Sequence, residues 1–337
     1  MSMITINFPD DRLKVHGLAW FDEEKPSVRR LPTRLKDTFR EAVWGLAQSP
    51  AGGRIRFKTD STKVSIRAKS PDFFVMNHIT RIGQSGFDIY VDGYFQGSVS
   101  PNAEGVISAD WAIASAKQPK KLRSIEISMP LYKSVTIESI GIDDGATISD
   151  PAPFALPKPI VYYGSSITQG GCASTPGTTY QSFVSRWTNT DFVNLGFSGN
   201  GFGEAQLATA VSEIDACCYV IDFWGNVGAV EYGQRLPGFA GPIRENHPKT
   251  PIVVVSPFYY ANENIDNSHH AQQRKDSAAF VKEHQKQGDR NIHFMDGLKM
   301  ISKEETFGEV DGAHPNSLGF YFMAKGLTPV LKKVLGL

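Results

Sequence analysis

A chain of 337 residues, 41% of them hydrophobic, is long enough for two ordinary domains, each with a core of its own. Its 35 basic and 35 acidic residues cancel, so no net charge draws it toward nucleic acid or an acidic membrane, and a neutral or mixed small-molecule ligand is expected. Cys172, Cys217 and Cys218 form neither an even disulfide set nor a Cys/His cluster with zinc spacing, so no metal and no cofactor is expected.

The opening stretch, MSMITINFPDDRLK, lacks a basic segment followed by an apolar run, and no long apolar run follows elsewhere. The sequence as it stands reads as cytoplasmic, and as secreted or periplasmic if a leader precedes it. Up to residue 150, short alternating runs dominate: 54–59, 63–69, 87–99, 122–129 and 134–142. Each places apolar side chains on one face of a strand, with turn signals such as Asp92-Gly93 between them, and together they predict a β-sandwich or jelly roll over residues 1–150. RLKDTFREAVWGLAQ at 34–48 reads as a short helix. Residues 143–159 carry prolines at 151, 153, 157 and 159 and read as an extended, semi-rigid connector.

Beyond it the period changes. Apolar runs at 160–163, 192–195, 219–223, 252–256 and 292–295 alternate with helix-like segments such as 178–187 and 271–288. That rhythm predicts a parallel sheet covered by helices over residues 158–337, with ligands at the carboxyl ends of its strands.

Four blocks fall at those ends or just before the last helix. YYGSSITQGG (162–171) presents Ser166 on a small turn. NLGFSGNGFG (194–203) offers glycine backbone that can approach a ligand and donate an amide. DFWGNVG (222–228) adds the Asn226 side chain, and VDGAHPNSLGF (310–320) sets Asp311 and His314 three residues apart, with Pro315 suited to open the closing helix. Each alone has a bland reading as a turn, a loop or a helix cap. Together they supply a nucleophile, a base, a carboxylate to orient it and donors for an oxyanion. No G-x-S-x-G elbow occurs, which argues against the α/β-hydrolase arrangement.

In order, GSSIT, GFSGNG, WGNVG and DGAHP resemble the blocks of the SGNH (GDSL-like) hydrolases, over about residues 158–337. The resemblance implies a flavodoxin-like three-layer αβα fold and an esterase with Ser166 as nucleophile, His314 as general base and Asp311 behind it. It also implies an oxyanion hole made by the backbone amides of Ser166 and Gly199 and the side-chain amide of Asn226. Two departures stand out: Ser165 replaces the aspartate of the GDS block, and no aspartate follows Asn226. SGFDIYVDG at 85–93 resembles the Gly-x-Asp-Leu-Tyr signature of a β-sandwich that precedes some of these esterases, with Ile89 in the leucine place. RRLP at 29–32, VW at 43–44 and RIRFKTDS at 54–61 are consistent with that module. Enzymes of this two-domain kind include some that deacetylate carbohydrates, which makes a small acyl ester on a sugar the first expected substrate.

Three activities are carried forward: hydrolysis of small or carbohydrate esters, lipase-, thioesterase- or acyl-transfer-type chemistry with the same triad, and carbohydrate binding without catalysis. The polar and aromatic segment 257–271 favours a sugar-like ligand over a long apolar chain. All four blocks lie after residue 160, so the first domain is not needed for the triad itself, and its loop at 71–86 is expected to wall the substrate cleft. Asp88 and Tyr90 are expected to brace a sandwich corner, His78 to be a polar loop residue, His269-His270 to be solvated surface and Cys172 to be an inert buried thiol. Trp224 reads equally as acyl-pocket wall or core.

Overall fold

In the first half of the chain, period-two alternation turns Ile55 and Phe57 of one strand and Val64, Ile66 and Ala68 of the next into a shared core. The computed structural model describes residues 2–72, 76–115, 117 and 119–337. Its strands here run in chain order as β1 (Met3–Asn7), β2 (Lys14–His16), β3 (Arg54–Thr59), β4 (Lys63–Lys69) and β5 (Phe87–Val91), then β6 (Tyr94–Val99), β7 (Val106–Ala112), β8 (Arg123–Ser128), β9 (Thr136–Asp143) and β10 (Ile148–Ser149). Among the described residues they form two antiparallel sheets, one ordered β1-β9-β4-β7 and the other β10-β3-β8-β5-β6 with β2 on the flank of β3. Asp92 (φ 52°) and Gly93 (φ 85°) both occupy the left-handed region between β5 and β6, as a two-residue hairpin turn requires.

Two short helices, α1 (Phe21–Glu24) and α2 (Glu41–Ala47), precede β3, and α3 (Arg81–Ser85) precedes β5. The helix read at 34–48 is thus a 3₁₀ turn, Thr33–Thr38, followed by α2. Within the segment 71–86, residues 73–75 lie outside those described. The connector is shorter than its prolines suggest, because β9 runs to Asp143 and β10 pairs with β3.

In the second half the chain alternates strand and helix. The strands are β11 (Ile160–Gly164), β12 (Phe192–Gly196), β13 (Cys218–Asp222), β14 (Ile252–Val255) and β15 (Ile292–Met295). The helices are α4 (Ser166–Gln169), α5 (Tyr180–Thr188), α6 (Ala205–Ser212), α7 (Ala229–Asn246), α8 (Ser268–Lys286) and α9 (Ser317–Leu335). All strand pairs are parallel, in the order β12-β11-β13-β14-β15. This is the flavodoxin-like order, and β11, β12 and β13 are buried throughout, as strands covered on both faces must be. The chain therefore combines a flavodoxin-like αβα hydrolase fold with an antiparallel β-sandwich.

The chain divides into two compact units, and their membership does not follow the sequence strictly. The sandwich unit comprises Met1–Thr33 and Ala47–Pro153 and also takes in Ser174–Gly177; the hydrolase unit takes in Arg34–Leu46 together with Phe154–Ala173 and Thr178–Leu337. Within the sandwich unit, Asp88 Oδ2 accepts the Gly177 N–H at 2.7 Å and the Tyr90 hydroxyl donates to Gly177 O at 3.2 Å. The signature residues thus grip one residue, Gly177, by the peptides on both its sides, in a segment that follows the block 162–171, rather than a sandwich corner.

Candidate active site

The block that carries Ser166, the expected nucleophile, begins where β11 ends. Ser165 adopts extended backbone and caps α4, its hydroxyl accepting the Ile167 N–H at 3.4 Å, so a serine here takes up the capping role open to an aspartate. Ser166 follows as the first helical residue and is 6% exposed. Helix α4 passes very close to the strand ends. A Cβ on Gly164 would lie 2.0 Å from Thr168 Oγ1, and one on Gly196 would lie 2.1 Å from the Gln169 nitrogen, so only glycine fits at the last residue of either strand.

The loop before α9 carries Asp311 and His314, the expected carboxylate and base. Val310 N–H donates to His314 O at 2.8 Å, and Glu309 and Pro315 form an antiparallel bridge, which closes a tight turn around Gly312. Asp311 Oδ1 accepts the His314 N–H at 2.9 Å and the Ala313 N–H at 3.2 Å, while Oδ2 lies 2.8 Å from His314 Nδ1. A carboxylate only accepts, so the proton sits on Nδ1 and the Nε2 lone pair is left facing outward. Nε2 lies 2.9 Å from Ser166 Oγ. The structure thus joins Ser166, His314 and Asp311 in one chain of hydrogen bonds, although 145 residues of sequence separate the serine from the carboxylate. Burial raises the Asp311 carboxyl, but hydrogen bonds from His314 and Ala313 and the imidazole's charge outweigh it and hold the group below the ordinary range. Pro315 lies outside the helix it was expected to open: Asn316 caps α9 through Leu318 N–H and Gly319 N–H.

The remaining predicted residues lie on two neighbouring loops. Gly199 is exposed, has φ 66° and has nothing near its Cβ position. Asn226 Oδ1 accepts the Gly201 N–H at 3.1 Å, and this fixes which end of the amide is which. Its Nδ2 donates to Gly225 O at 3.2 Å and keeps a second hydrogen for another acceptor.

Three buried polar residues that sequence reading passed over hold this constellation. Gln169 Oε1 accepts the Ser198 N–H at 2.9 Å. Asn194 Nδ2 donates to Thr168 O at 2.7 Å while its Oδ1 accepts the Gly196 N–H at 2.9 Å. Asp222 Oδ2, at the end of β13, accepts from the Tyr180 hydroxyl at 3.0 Å and the Thr168 hydroxyl at 3.3 Å. Burial pushes Asp222 up to about 7, against Tyr180, Thr168 and Trp224, which lower it. A lone polar residue inside an apolar run, such as Asn194 in FVNLG or Asp222 in CYVID, was the signal available for two of them.

Other expectations resolve as follows. Trp224 is core, 1% exposed and packed edge-on against Phe258 and Tyr260, which are themselves buried. Phe258 and Tyr260 of 257–271 therefore face inward, and its exposed part is Asn262 with 264–269, a largely polar run that includes Ile265. His270 is not solvated surface: it stacks on Tyr260 at 4.5 Å and pairs with buried Glu263, because burying that carboxylate requires partners, of which Arg274 is the other. Cys172 is buried, and desolvation with help from nearby Asp311 pushes its thiol up to about 12, as an inert thiol requires. No helix among the described residues is long and apolar enough to cross a membrane.

Residues 157–332 match the GDSL-like lipase/acylhydrolase family, and residues 5–148 match the family described as the N-terminus of Esterase_SGNH_hydro-type. No curated protein matches the chain. Among solved structures, a Bacteroides ovatus protein described as a GDSL-like lipase is 29% identical with a TM-score of 0.88, over 99% of this chain and 98% of its own. The salicylyl-acyltransferase SsfX3 of a tetracycline biosynthetic pathway is 21% identical with a TM-score of 0.82, over 99% and 98%. A family two carbohydrate esterase from Clostridium thermocellum, in complex with cellohexaose, is 16% identical with a TM-score of 0.63, over 85% and 93%. Matched over more than half its length and equipped with the family's blocks in order, the chain belongs to the GDSL-like acylhydrolases and is an SGNH-type ester hydrolase.

Proposed function

We propose that the protein is a serine esterase that removes small acyl groups, acetyl first among them, from carbohydrate through an acyl-enzyme. The observation that carries this reading is the unbroken path from Ser166 Oγ through His314 to Asp311. As Ser166 Oγ bonds to the ester carbonyl carbon, its proton passes to His314 Nε2. The carbonyl oxygen becomes an oxyanion, for which the amides of Ser166 and Gly199 and the Asn226 Nδ2 are the donors. Collapse of this intermediate breaks the bond to the sugar oxygen, which leaves with the proton from His314. Water then bonds to the acyl carbon while giving a proton to the same nitrogen, and the bond to Ser166 Oγ breaks as the serine takes that proton back and the acid leaves. Asp311 keeps the imidazole in the required tautomer and stabilises its positive charge.

The choice of a small acyl group on a polar leaving alcohol rests on two observations. Trp224, Phe258 and Tyr260 pack on one another instead of opening an apolar groove, and the exposed run after them is largely polar. The carbohydrate esterase among the structural relatives suggests the leaving group. A fluorophosphonate probe should label the protein once, on the peptide carrying Ser166, and Ser166→Ala should abolish labelling. A series of nitrophenyl esters from acetate to octanoate should fall in kcat/KM with chain length, and acetylated oligosaccharides should be deacetylated. Undiminished labelling of the alanine variant would refute the nucleophile, and a preference for octanoate would refute the small acyl pocket.

A further inference from the structure

The loop from Phe197 to Glu204 carries the Gly199 amide, and its conformation is not set by the hydrolase half of the sequence alone. Arg40 stands just before α2, in the stretch that groups with the hydrolase unit although it lies some 120 residues ahead of that fold's first strand. Its guanidinium makes four contacts with this one loop. Nη1 donates to Asn200 Oδ1 at 2.7 Å and Nη2 to Asn200 O at 3.4 Å; Nε pairs with the Glu204 carboxylate; and the plane lies over the Phe202 ring, 4.7 Å from its centroid. The fork and the flat face are used together, which a lysine cannot reproduce.

The consequence for Gly199 follows from peptide geometry. An arginine only donates, so the Asn200 amide must turn its oxygen to Arg40 and its nitrogen the other way. That nitrogen donates to Ser198 O at 3.0 Å. Ser198 C=O and Gly199 N–H belong to the same planar trans peptide and point in opposite directions. Holding the carbonyl therefore aims the N–H. On the amino side, the Ser198 N–H is held by buried Gln169 from α4. The peptide before Ser198 is thus tied to the nucleophile helix, whereas the peptide that carries the Gly199 amide is tied through Asn200 to Arg40. Gly199 itself has no side chain to restrain it and sits exposed at φ 66°.

We propose that Arg40 is a positioning residue for the oxyanion hole, fixing the direction of the Gly199 N–H through the Asn200 side chain; this rests on the role proposed above for Gly199. Arg40 is 42% exposed in its side chain, and ion pairs of that kind contribute little to global stability. The effect is on the loop.

Three variants of the full chain test it. Arg40→Ala should lower kcat on nitrophenyl acetate about tenfold, less than the 10²–10³-fold of losing a donor outright, with KM within about twofold. Arg40→Lys, which keeps the charge beside Glu204 but not the fork, should fall between the two and serves if the alanine variant folds poorly. Asn200→Asp is the discriminating change: it keeps an oxygen for Arg40 and strengthens that pair, but sets a second oxygen against Ser198 O. Its melting temperature should equal or exceed the parent's while its kcat falls as far as that of Arg40→Ala, which a purely structural contact would not produce. Hydrogen exchange over residues 197–204 should quicken in Arg40→Ala and needs no substrate. A parent-like kcat in Arg40→Ala or in Asn200→Asp overturns the proposal, as does unchanged exchange. If the parent itself is not labelled at Ser166, the esterase reading falls, and the exchange result alone decides whether Arg40 holds the loop.

Discussion

Asp222 offers a test of the electrostatics beneath Ser166. It is 2% exposed at the end of β13, and its Oδ2 takes hydrogen bonds from Tyr180 and from Thr168, two residues after Ser166. Burial raises its carboxyl from 3.8 to about 7. A group raised in the folded state contributes stability that is fully present below its unfolded pKa and lost as pH rises through the folded value, so the window is pH 4 to 7. At roughly 1–2 kcal/mol per unit, the full penalty above pH 7 is about 4 kcal/mol, and the share lost between pH 5 and pH 8 is about 2–3 kcal/mol. Asp222→Asn removes the charge and keeps an oxygen for Tyr180 and Thr168. It also turns an NH₂ toward Trp224, whose side chain helps hold the parent's carboxylate, at a cost of about 1–2 kcal/mol at every pH. Urea unfolding of parent and variant at pH 5 and pH 8, taking the transition of the hydrolase unit, should show the variant gaining about 2–3 kcal/mol on the parent between the two pH values. All other titrations cancel in that difference. Stabilities that track each other within about 0.5 kcal/mol across the range would refute a raised Asp222.

Asp311→Asn should retain the fold but lower kcat by about 10⁴-fold, because an amide nitrogen facing Nδ1 favours the wrong tautomer; a loss under tenfold in steady-state assays would remove Asp311 from the base. Asn226→Ala should cost kcat about 10²–10³-fold with little change in KM, and an unaltered kcat would return the residue to the loop. Gly177→Ala would bring a methyl to 2.5 Å from Tyr90 Cε2 and 2.9 Å from Asp88 Oδ2, so thermal or urea unfolding should report a loss of about 1–3 kcal/mol. A loss below about 0.5 kcal/mol would show that the signature's grip on this peptide is loose.

Much of the hydrolase half was legible in its sequence. Strands buried on both faces must be largely apolar, and the runs at 160, 192, 219, 252 and 292 are, Asn194, Asp222 and His293 being exceptions; blocks after such strands must gather at one edge of a parallel sheet. Asp311 and His314 could be read as a pair because three residues of a tight turn bring them together locally. The sandwich strands showed through their alternation, although β1, β2 and β7 did not stand out, being short or broken by polar residues such as Ser108, Asp110 and Lys14.

What sequence could not decide was anything that depends on long-range packing. Trp224 and His270 looked like candidates for a pocket wall and for open surface, and only the positions of Phe258, Tyr260 and Glu263 put the first in the core and the second in an aromatic stack. Asp88 and Tyr90 carry a recognisable signature, yet their target is the N–H and C=O of Gly177, almost ninety residues on, and no local pattern encodes that pairing. Arg40 is the clearest case. A charged residue before a short helix has the pattern of plain solvated surface, and its partners Asn200 and Glu204 belong to a loop that follows another strand. Periodicity and turn chemistry are local and can be read one segment at a time; hydrogen-bond partners across 160 residues are chosen by the shape into which those segments fold.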